Sequence, residues 1–396
     1  MKALNNNAHP LESLLKQHCP NGVEFKELGE VCETLPKGTL KTSQLTANGY
    51  PVINSGRDLY GYYSKFNNES NAFTIAARGE YAGFVNFMDS KFWAGGLCYP
   101  YRSNDENKLL TKFIYYHLKT NESNIMDSLV ARGSIPAINK KDIDKKLKIP
   151  IPPIAIQQKI VDILDAFTEL QAELQAELQA RRKQYEYYRN KLLSFEELQR
   201  RTDMLNGGGL KLVTLGELGK RNAGTKITAN QMQALHKENA PIRIFAGGST
   251  IADVDYRDLP KKDVIDKPSI ICKARGYIGF EYYDKPFSHK SEFWSYTIEK
   301  NANQKFIYYF LVNQQEYFQQ IAKANSVKIP QLKVKNTDNF QIPLPPLEVQ
   351  NEIVELLDKF DTLANDLTSG IPAEIEARKK QYEYYRERLL SFIAKD

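Results

Sequence analysis

The sequence predicts an α+β protein: two similar mixed α/β domains separated by two long antiparallel helices that pair as a coiled coil, with approximate twofold symmetry. Three observations predict it. A proline-rich landmark occurs twice at one offset, a helical apolar stripe follows each copy, and weaker matches recur in the same order between them. Self-similarity of this kind sets the architecture before any single element is assigned.

The landmark Ile149-Pro150-Ile151-Pro152-Pro153 returns as Ile342-Pro343-Leu344-Pro345-Pro346, an offset of 193 residues (342 − 149). After the first copy Ile160, Val161, Leu164, Asp165 and Phe167 follow at helical spacing; after the second come Ile353, Val354, Leu357, Asp358 and Phe360. Each helix then ends alike. Lys183-Gln184-Tyr185-Glu186-Tyr187-Tyr188-Arg189 with Leu192-Leu193-Ser194-Phe195 is matched by Lys380-Gln381-Tyr382-Glu383-Tyr384-Tyr385-Arg386 with Leu389-Leu390-Ser391-Phe392.

In the first helix Ile160, Leu164, Phe167, Leu170, Leu174, Leu178, Tyr185, Tyr188, Leu192 and Phe195 fall mostly three or four apart. That is an amphipathic stripe suited to helix pairing. Pro pairs fix each helix start, because Pro is tolerated in a first turn but not in an interior. From Ile154 to about Gln199 the helix would span roughly 60–70 Å. A helix that long cannot bury its stripe alone, and its C-terminal copy is the obvious partner. Ser369-Gly370-Ile371-Pro372 predicts a break in the second helix that the first lacks.

Between the helices the matches are scattered. Leu28-Gly29-Glu30 answers Leu215-Gly216-Glu217, and Ala77-Arg78-Gly79 answers Ala274-Arg275-Gly276. Phe92-Trp93 is matched with Phe293-Trp294, Lys112-Phe113-Ile114-Tyr115-Tyr116 with Lys305-Phe306-Ile307-Tyr308-Tyr309, and Ile135-Pro136 with Ile329-Pro330. Runs such as Ala72–Ala77 and Ser269–Lys273 read as strands, and Lys112–Lys119 and Lys305–Val312 as short helices. The chain thus divides into an N-terminal segment (1–19), a first domain (20–150), a central helix (151–200), a second domain (201–342) and a C-terminal helix (343–396). Near-identical helices with divergent domains imply one job done twice by the helices and two related but different jobs done by the domains.

Composition narrows the function class. Hydrophobic residues make up 42% and charged residues 26%, so the chain can build cores and is not disordered. A formal charge of +6 is compatible with nucleic-acid binding without arguing for it alone. The four cysteines, Cys19, Cys32, Cys98 and Cys272, form no C-x-x-C pair, which disfavours zinc and disulfides and points to a reducing cytoplasm. His9, His18, His117, His236 and His289 show no ligand spacing, so no metal is expected. No apolar stretch approaches the ~20 residues of a membrane span, and the Asn-rich start is no signal peptide.

Two related folds joined by paired helices suit a duplex read as two half-sites in opposed orientation with a fixed gap. The central helix carries Glu-Leu-Gln-Ala three times in succession, over residues 169–180. Phe167 to Arg181 is 14 residues and Phe360 to Arg378 is 18, a difference of one such unit. Four residues lengthen a helix by ~6 Å and turn the segment beyond them by ~40°. One base-pair step is about 3.4 Å with roughly 34–36° of twist. The rotation suits one step and the translation overshoots it, so one unit should change a DNA gap by one or two base pairs. Glu169, Leu170, Leu174 and Leu178 are the candidate spacer residues; the alternative is an ordinary helix-forming tract.

These features resemble the specificity subunit of type I restriction-modification enzymes, in the group with tandem tetrapeptides in the central helix. The resemblance covers the whole chain. It rests on the Ile-Pro-x-Pro-Pro landmarks, the Lys-Gln-Tyr-Glu-Tyr-Tyr-Arg helix ends, the tetrapeptide array and Cys19-Pro20-Asn21-Gly22-Val23-Glu24-Phe25. It implies two target-recognition domains that read the halves of a split double-stranded DNA site. It implies docking of two modification subunits, which bind S-adenosylmethionine and methylate adenine, and of restriction subunits that use ATP and magnesium. No cofactor is expected on this chain. The sequence agrees that catalysis lies elsewhere, since it holds neither an Asn/Asp-Pro-Pro-Tyr/Phe motif nor a phosphate loop. A stand-alone nuclease would lean on Asp89-Ser90-Lys91, a pattern common by chance. A coiled-coil scaffold without a DNA role would leave the divergence of the domains without a reason.

Candidate DNA-binding residues come from comparing the halves. Arg78 and Arg275 hold equivalent places, so a phosphate or scaffold role suits them better than base readout. Lys273 lies on the strand leading to Arg275. Base readers are expected where the halves differ: Asn54, Ser55 and Arg57 against the loop of Ala246, Gly247, Gly248 and Ser249, and Arg132 against Asn325. Lys140, Lys141, Lys328, Lys333 and Lys335 surround the Ile-Pro landmarks and are candidate phosphate holders, with a solvated surface as the plain alternative. At the helix ends Tyr188, Arg189, Tyr385 and Arg386 either pack the helices together or dock the modification subunits.

Overall fold

The computed structural model describes residues 17–205, 208–248, 250–299, 302–326, 328–366, 368–392 and 394. Two compact units divide the chain, Met1–Gln175 with Glu374–Asp396, and Ala176–Ala373.

The first unit runs β1 (Glu24–Glu27), α1 (Leu28–Val31), β2 (Cys32–Thr34), β3 (Tyr50–Ile53), β4 (Gly61–Tyr63), β5 (Ala72–Ala76), β6 (Val85–Met88), β7 (Trp93–Ala94), β8 (Cys98–Ser103), α2 (Thr111–Thr120), α3 (Glu122–Leu129), α4 (Lys140–Lys146), β9 (Lys148–Ile151) and the start of α5 (Ile154–Leu192). After α6 (Phe195–Met204) the second unit repeats the order with one α-helix added (Ala229–Leu235): β10 (Lys211–Thr214), α7 (Leu215–Leu218), β11 (Gly219–Ala223), α8 (Ala229–Leu235), β12 (Ile242–Phe245), β13 (Ile251–Val254), β14 (Ser269–Lys273), β15 (Gly279–Tyr283), β16 (Phe287–His289), β17 (Trp294–Ile298), α9 (Gln304–Asn313), α10 (Gln315–Asn325), α11 (Val334–Asp338), β18 (Gln341–Leu344) and α12 (Leu347–Asn365). Most of α13 (Ile371–Leu389) returns to the first unit.

The topology is duplicated strand for strand. An antiparallel four-stranded sheet, β2-β8-β5-β6, corresponds to β11-β17-β14-β15. A mixed three-stranded sheet, β4-β3-β7, corresponds to β13-β12-β16, each with one parallel pair. The two-stranded ribbon β1-β9 corresponds to β10-β18. In each ribbon the Ile-Pro-x-Pro-Pro landmark supplies a strand, with Ile149 opposite Lys26 and Ile342 opposite Val213.

Register corrects one expected match. Ile75 faces Tyr99 on β8, and its counterpart Cys272 faces Trp294 on β17. Trp93 instead lies on β7 beside Val52. Phe92-Trp93 and Phe293-Trp294 are therefore not equivalent; a shared dipeptide masked a different strand. The true counterparts are Tyr101 and Tyr296, opposite Phe73 and Ile270. Their hydroxyls donate to Asp144 and Asp338, at 2.8 and 2.5 Å.

Each domain is clamped to its helix by the same polar set. Lys112 and Tyr116 of α2 donate to Asp165 at 2.7 and 2.5 Å; Lys305 and Tyr309 of α9 donate to Asp358 at the same distances. Burial, then the bond to the carboxylate, pushes both phenols well above the ordinary tyrosine range. Gln157 and Gln350 are fully buried at the helix starts. Each accepts from a domain amide (Leu110, 2.9 Å; Asn303, 2.7 Å) and donates to a landmark carbonyl (Pro152, 2.7 Å; Pro345, 2.8 Å). Around these bonds Ile160, Leu164, Phe113 and Ile114 build one core, and Ile353, Leu357, Phe306 and Ile307 the other. Each such side chain contributes roughly 1.5–3 kcal/mol by burial.

Within each unit the helices run antiparallel. In the first, Phe167 meets Tyr385 (5.5 Å) and Tyr382 (6.2 Å) while Leu164 shares a core with Leu389. In the second, Tyr188 stacks on Phe360 at 5.2 Å and Arg201 reaches Glu352 at 3.3 Å. The central helix is shorter than the expected run to Gln199. It stops at Leu192, because Ser194 caps a new helix by accepting the Glu197 amide at 3.2 Å. The break in the second helix falls at 366–370, where the Asp366 carboxylate accepts from Thr368 and Ser369 and the Gly370 amide returns to the Asp366 carbonyl.

Candidate nucleic-acid interface

One surface is built twice. At the end of β5 the chain turns through Arg78 and Gly79, and at the end of β14 through Arg275 and Gly276; both glycines have positive φ (101° and 80°). The Gly79 amide donates to the Pro136 carbonyl at 2.8 Å, and Ile138 donates to the Ala77 carbonyl at 2.9 Å. The second unit makes the same bonds at the same lengths, Gly276 to Pro330 and Leu332 to Ala274. These bonds seat Arg78 opposite Ala137 and Arg275 opposite Gln331. Both guanidinium groups are exposed and have no ion-pair partner among the described residues. Lys141 and Lys335 follow in the first turns of α4 and α11, also exposed and unpaired there.

In the first unit the divergent loop joins this surface. Asn54 accepts the Leu97 amide at 2.9 Å, and Ala77 donates to the Leu97 carbonyl at 2.8 Å. Asn54 thereby ties the β3 loop to the strand carrying Arg78, which occupies its carbonyl oxygen. Ser55 follows it, half-buried. Arg57 lies exposed across the aromatic rings of Phe84 (5.6 Å) and Tyr81 (6.0 Å), just past the Gly79 turn. In the second unit Gly247 and Gly248 begin the equivalent loop after β12, with φ +69° at Gly248. Ser249 lies outside the described residues. Lys328 and Lys333 are exposed without ion-pair partners among those residues.

Three candidate cations are already engaged. Lys273 pairs with Glu281 at 2.6 Å across β14 and β15, Lys140 with Asp144 at 2.5 Å, and Arg132 with Asp127 at 2.6 Å. Lys140 belongs to the Tyr101–Asp144 cluster that holds α4 in place. Lys273 and Lys140 therefore read as structural cations.

Helix rotation also reassigns the expected docking residues. Tyr188 and Tyr385 face the other helix of their unit. Arg189 bonds Asn313 at 3.1 Å and lies over Tyr185, while Arg386 lies over Tyr382. The two tyrosines pack helix on helix, Arg189 ties the central helix to α9, and Arg386 lies along its own helix. About 100° around the helix, Tyr187 (59% exposed) and Tyr384 (48%) point outward instead. Of the spacer residues, Glu169 is exposed, Leu170 and Leu174 are half-buried and Leu178 is buried, all within α5. Sequence reasoning also missed Tyr277, 80% exposed beside Gly276, where the first unit has Glu80. Its signal was the difference between the halves next to a shared Arg-Gly turn.

Among the described residues no group of three or more His, Cys, Asp or Glu side chains has a metal-holding arrangement, and no helix is long and apolar enough to cross a membrane. His117 and His289 are buried and held neutral, their pKa values pushed down to about 4 by burial, against a carbonyl hydrogen bond that opposes it. Lys91 of the Asp89-Ser90-Lys91 run pairs with Glu69 at 3.2 Å.

Two versions of one basic, loop-built surface, each clamped to a helix, define a tandem recognition protein. A family model described as the type I restriction modification DNA specificity domain matches residues 20–181 and again 208–377. The type I restriction enzyme EcoR124I/EcoR124II specificity subunit of Escherichia coli is 32% identical over 398 residues, covering 93% of this chain and 94% of that one. A putative type I restriction enzyme specificity subunit of Haemophilus influenzae is 31% identical, covering 98% and 100%. Among solved structures, a type I restriction-modification S subunit from M. genitalium has a TM-score of 0.65 at 22% identity, covering 93% and 96%. The chain belongs to the type I restriction-modification DNA specificity family, as a specificity subunit rather than an enzyme.

Proposed function

We propose that this chain reads a split, asymmetric site on double-stranded DNA, one half-site per domain, for a cytoplasmic restriction-modification complex. The observation that carries the reading is the duplicated Arg-Gly turn bonded to an Ile-Pro loop, with unlike loops beside it. Shared cations suit phosphate, which is the same at every sequence; the unlike loops suit bases. The shared Arg78, Lys141, Arg275 and Lys335 are the proposed phosphate holders, joined in the second half by Lys328 and Lys333, which have Ser134 and Asn139 at the matching places. Ser55, Arg57, Gly247, Ser249 and Tyr277 mark the proposed reading loops.

In this reading the chain has five parts, divided at 19/20, 150/151, 200/201 and 342/343, and the helices set the gap. Each Glu-Leu-Gln-Ala unit adds one or two base pairs to it. Two modification subunits dock along the helices, with Tyr187 and Tyr384 as equivalent aromatic anchors. Those subunits bring S-adenosylmethionine, and restriction subunits bring ATP and magnesium. Co-expression with the modification subunit followed by sequencing of modified adenines tests the reading. A split motif with two unlike halves is expected; a continuous motif, or no modification, overturns it.

A further inference from the structure

Ile135 is 52% exposed and Ile329 is 45% exposed. Single exposed apolar residues are ordinary and need no explanation. This pair is different because the two positions are equivalent. Each isoleucine precedes the proline whose carbonyl accepts the amide of the Arg-Gly turn, at 2.8 Å in both units. A following proline restricts its neighbour to extended conformations, so each loop presents the side chain in a fixed backbone setting. Neither residue belongs to a hydrophobic core, and about half of each stays exposed.

The surroundings indicate what meets them. Arg78 and Arg275 form isolated bridges with Ala137 and Gln331, two residues past each isoleucine, and are exposed and without a carboxylate partner among the described residues. Lys141 and Lys335 follow six residues after each isoleucine in the same condition. An apolar tip flanked by cations that have no ion-pair partner among the described residues fits a polyanion better than an apolar protein patch. The neighbours differ between the units, Ser134 against Lys328 and Glu80 against Tyr277, while Ile-Pro does not. Its task is therefore common to two half-sites of different sequence. An aliphatic side chain cannot read the donor and acceptor pattern of base edges. What it can do at many sequences is press between base-pair steps and unstack them.

We infer that Ile135 and Ile329 are apolar wedges, one per half-site, that open a base-pair step beside the phosphate held by Arg78 or Arg275. The inference rests on the DNA-reading function proposed above. It makes these isoleucines positioning residues for the modification step, because an adenine must leave the stack before it can be methylated, and a part-opened step lowers that cost.

The test uses the complex with its modification subunit and duplexes carrying the mapped site, premethylated in one half so that each reports the other. A 2-aminopurine at the open adenine reports unstacking. Ile135→Ala and Ile329→Ala should each slow methylation about tenfold or more, in one half-site only and a different one for each variant. Each should also lower the 2-aminopurine signal there and leave the salt dependence of binding unchanged. Ile135→Leu and Ile329→Leu should keep most of the rate, and Arg78→Ala should instead reduce the salt slope by about one. Both side chains are exposed, so an unchanged melting temperature controls for folding. If the wild-type complex methylates a split site while both alanine variants keep their rates and signals, the wedge is wrong and the DNA-reading function stands. A wild-type complex that modifies no split site overturns both.

Discussion

Removing Asp165 should loosen the first domain from its helix by about 1–4 kcal/mol. Tyr116 is 3% exposed, and its hydroxyl donates to Asp165 at 2.5 Å. In Asp165→Ala that buried hydroxyl loses its carboxylate acceptor and keeps only the Thr168 hydroxyl beside it, which costs about 1–3 kcal/mol. Lys112 is about one-third exposed, so solvent screens its 2.7 Å pair and its loss adds less than about 1 kcal/mol. The sum is about 1–4 kcal/mol. Tyr116→Phe removes donor and demand together and should cost about 1 kcal/mol. The double variant should then show a coupling of about 1–2 kcal/mol. A chain with two units need not unfold in one step, so hydrogen exchange through Thr111–Thr120 is the assay that localises the change. The Tyr309–Asp358 cycle in the second unit has the same distances and should give the same coupling. Additive effects in both cycles would refute the clamp.

Two further outcomes are expected. His117 and His289 have folded pKa values near 4, below the ordinary 6.5, so between those values the unfolded chain binds more protons. Stability should therefore fall as pH drops from about 6.5 to 4, with a slope approaching two protons in urea titrations, and His289→Gln should remove one of them. Cys32, Cys98 and Cys272 are buried, with burial raising their thiols (Cys98 to about 12), while Cys19 is partly exposed. Iodoacetamide on the native protein, read by mass spectrometry, should label Cys19 alone.

Much of this was legible in the sequence because it was written twice. The Ile-Pro-x-Pro-Pro landmarks, the helix stripes and the Gly-Pro break are local patterns, and local periodicity is what residue spacing records. The clamps were half visible. Asp165 and Asp358 hold matching places in the two helical patterns, but their partners lie about 50 residues away, beyond any local pattern. The Phe-Trp match failed for the opposite reason: the dipeptide repeats while strand register does not, and only pairing showed that Tyr101 answers Tyr296. Tyr188 was already on the apolar stripe, so its inward position followed from spacing, and Tyr187 one step around was the exposed choice. Lys140 and Lys273 looked like surface cations because their carboxylates, Asp144 and Glu281, become neighbours only through the fold.

The most direct test of the helix as a spacer is deletion of one Glu-Leu-Gln-Ala unit, residues 177–180, in the chain co-expressed with its modification subunit. Modified adenines are then mapped across a genome for both forms. The expected result is a site whose half-site letters are unchanged and whose gap is shorter by one or two base pairs. Altered half-site letters, or the same gap in both forms, would contradict it.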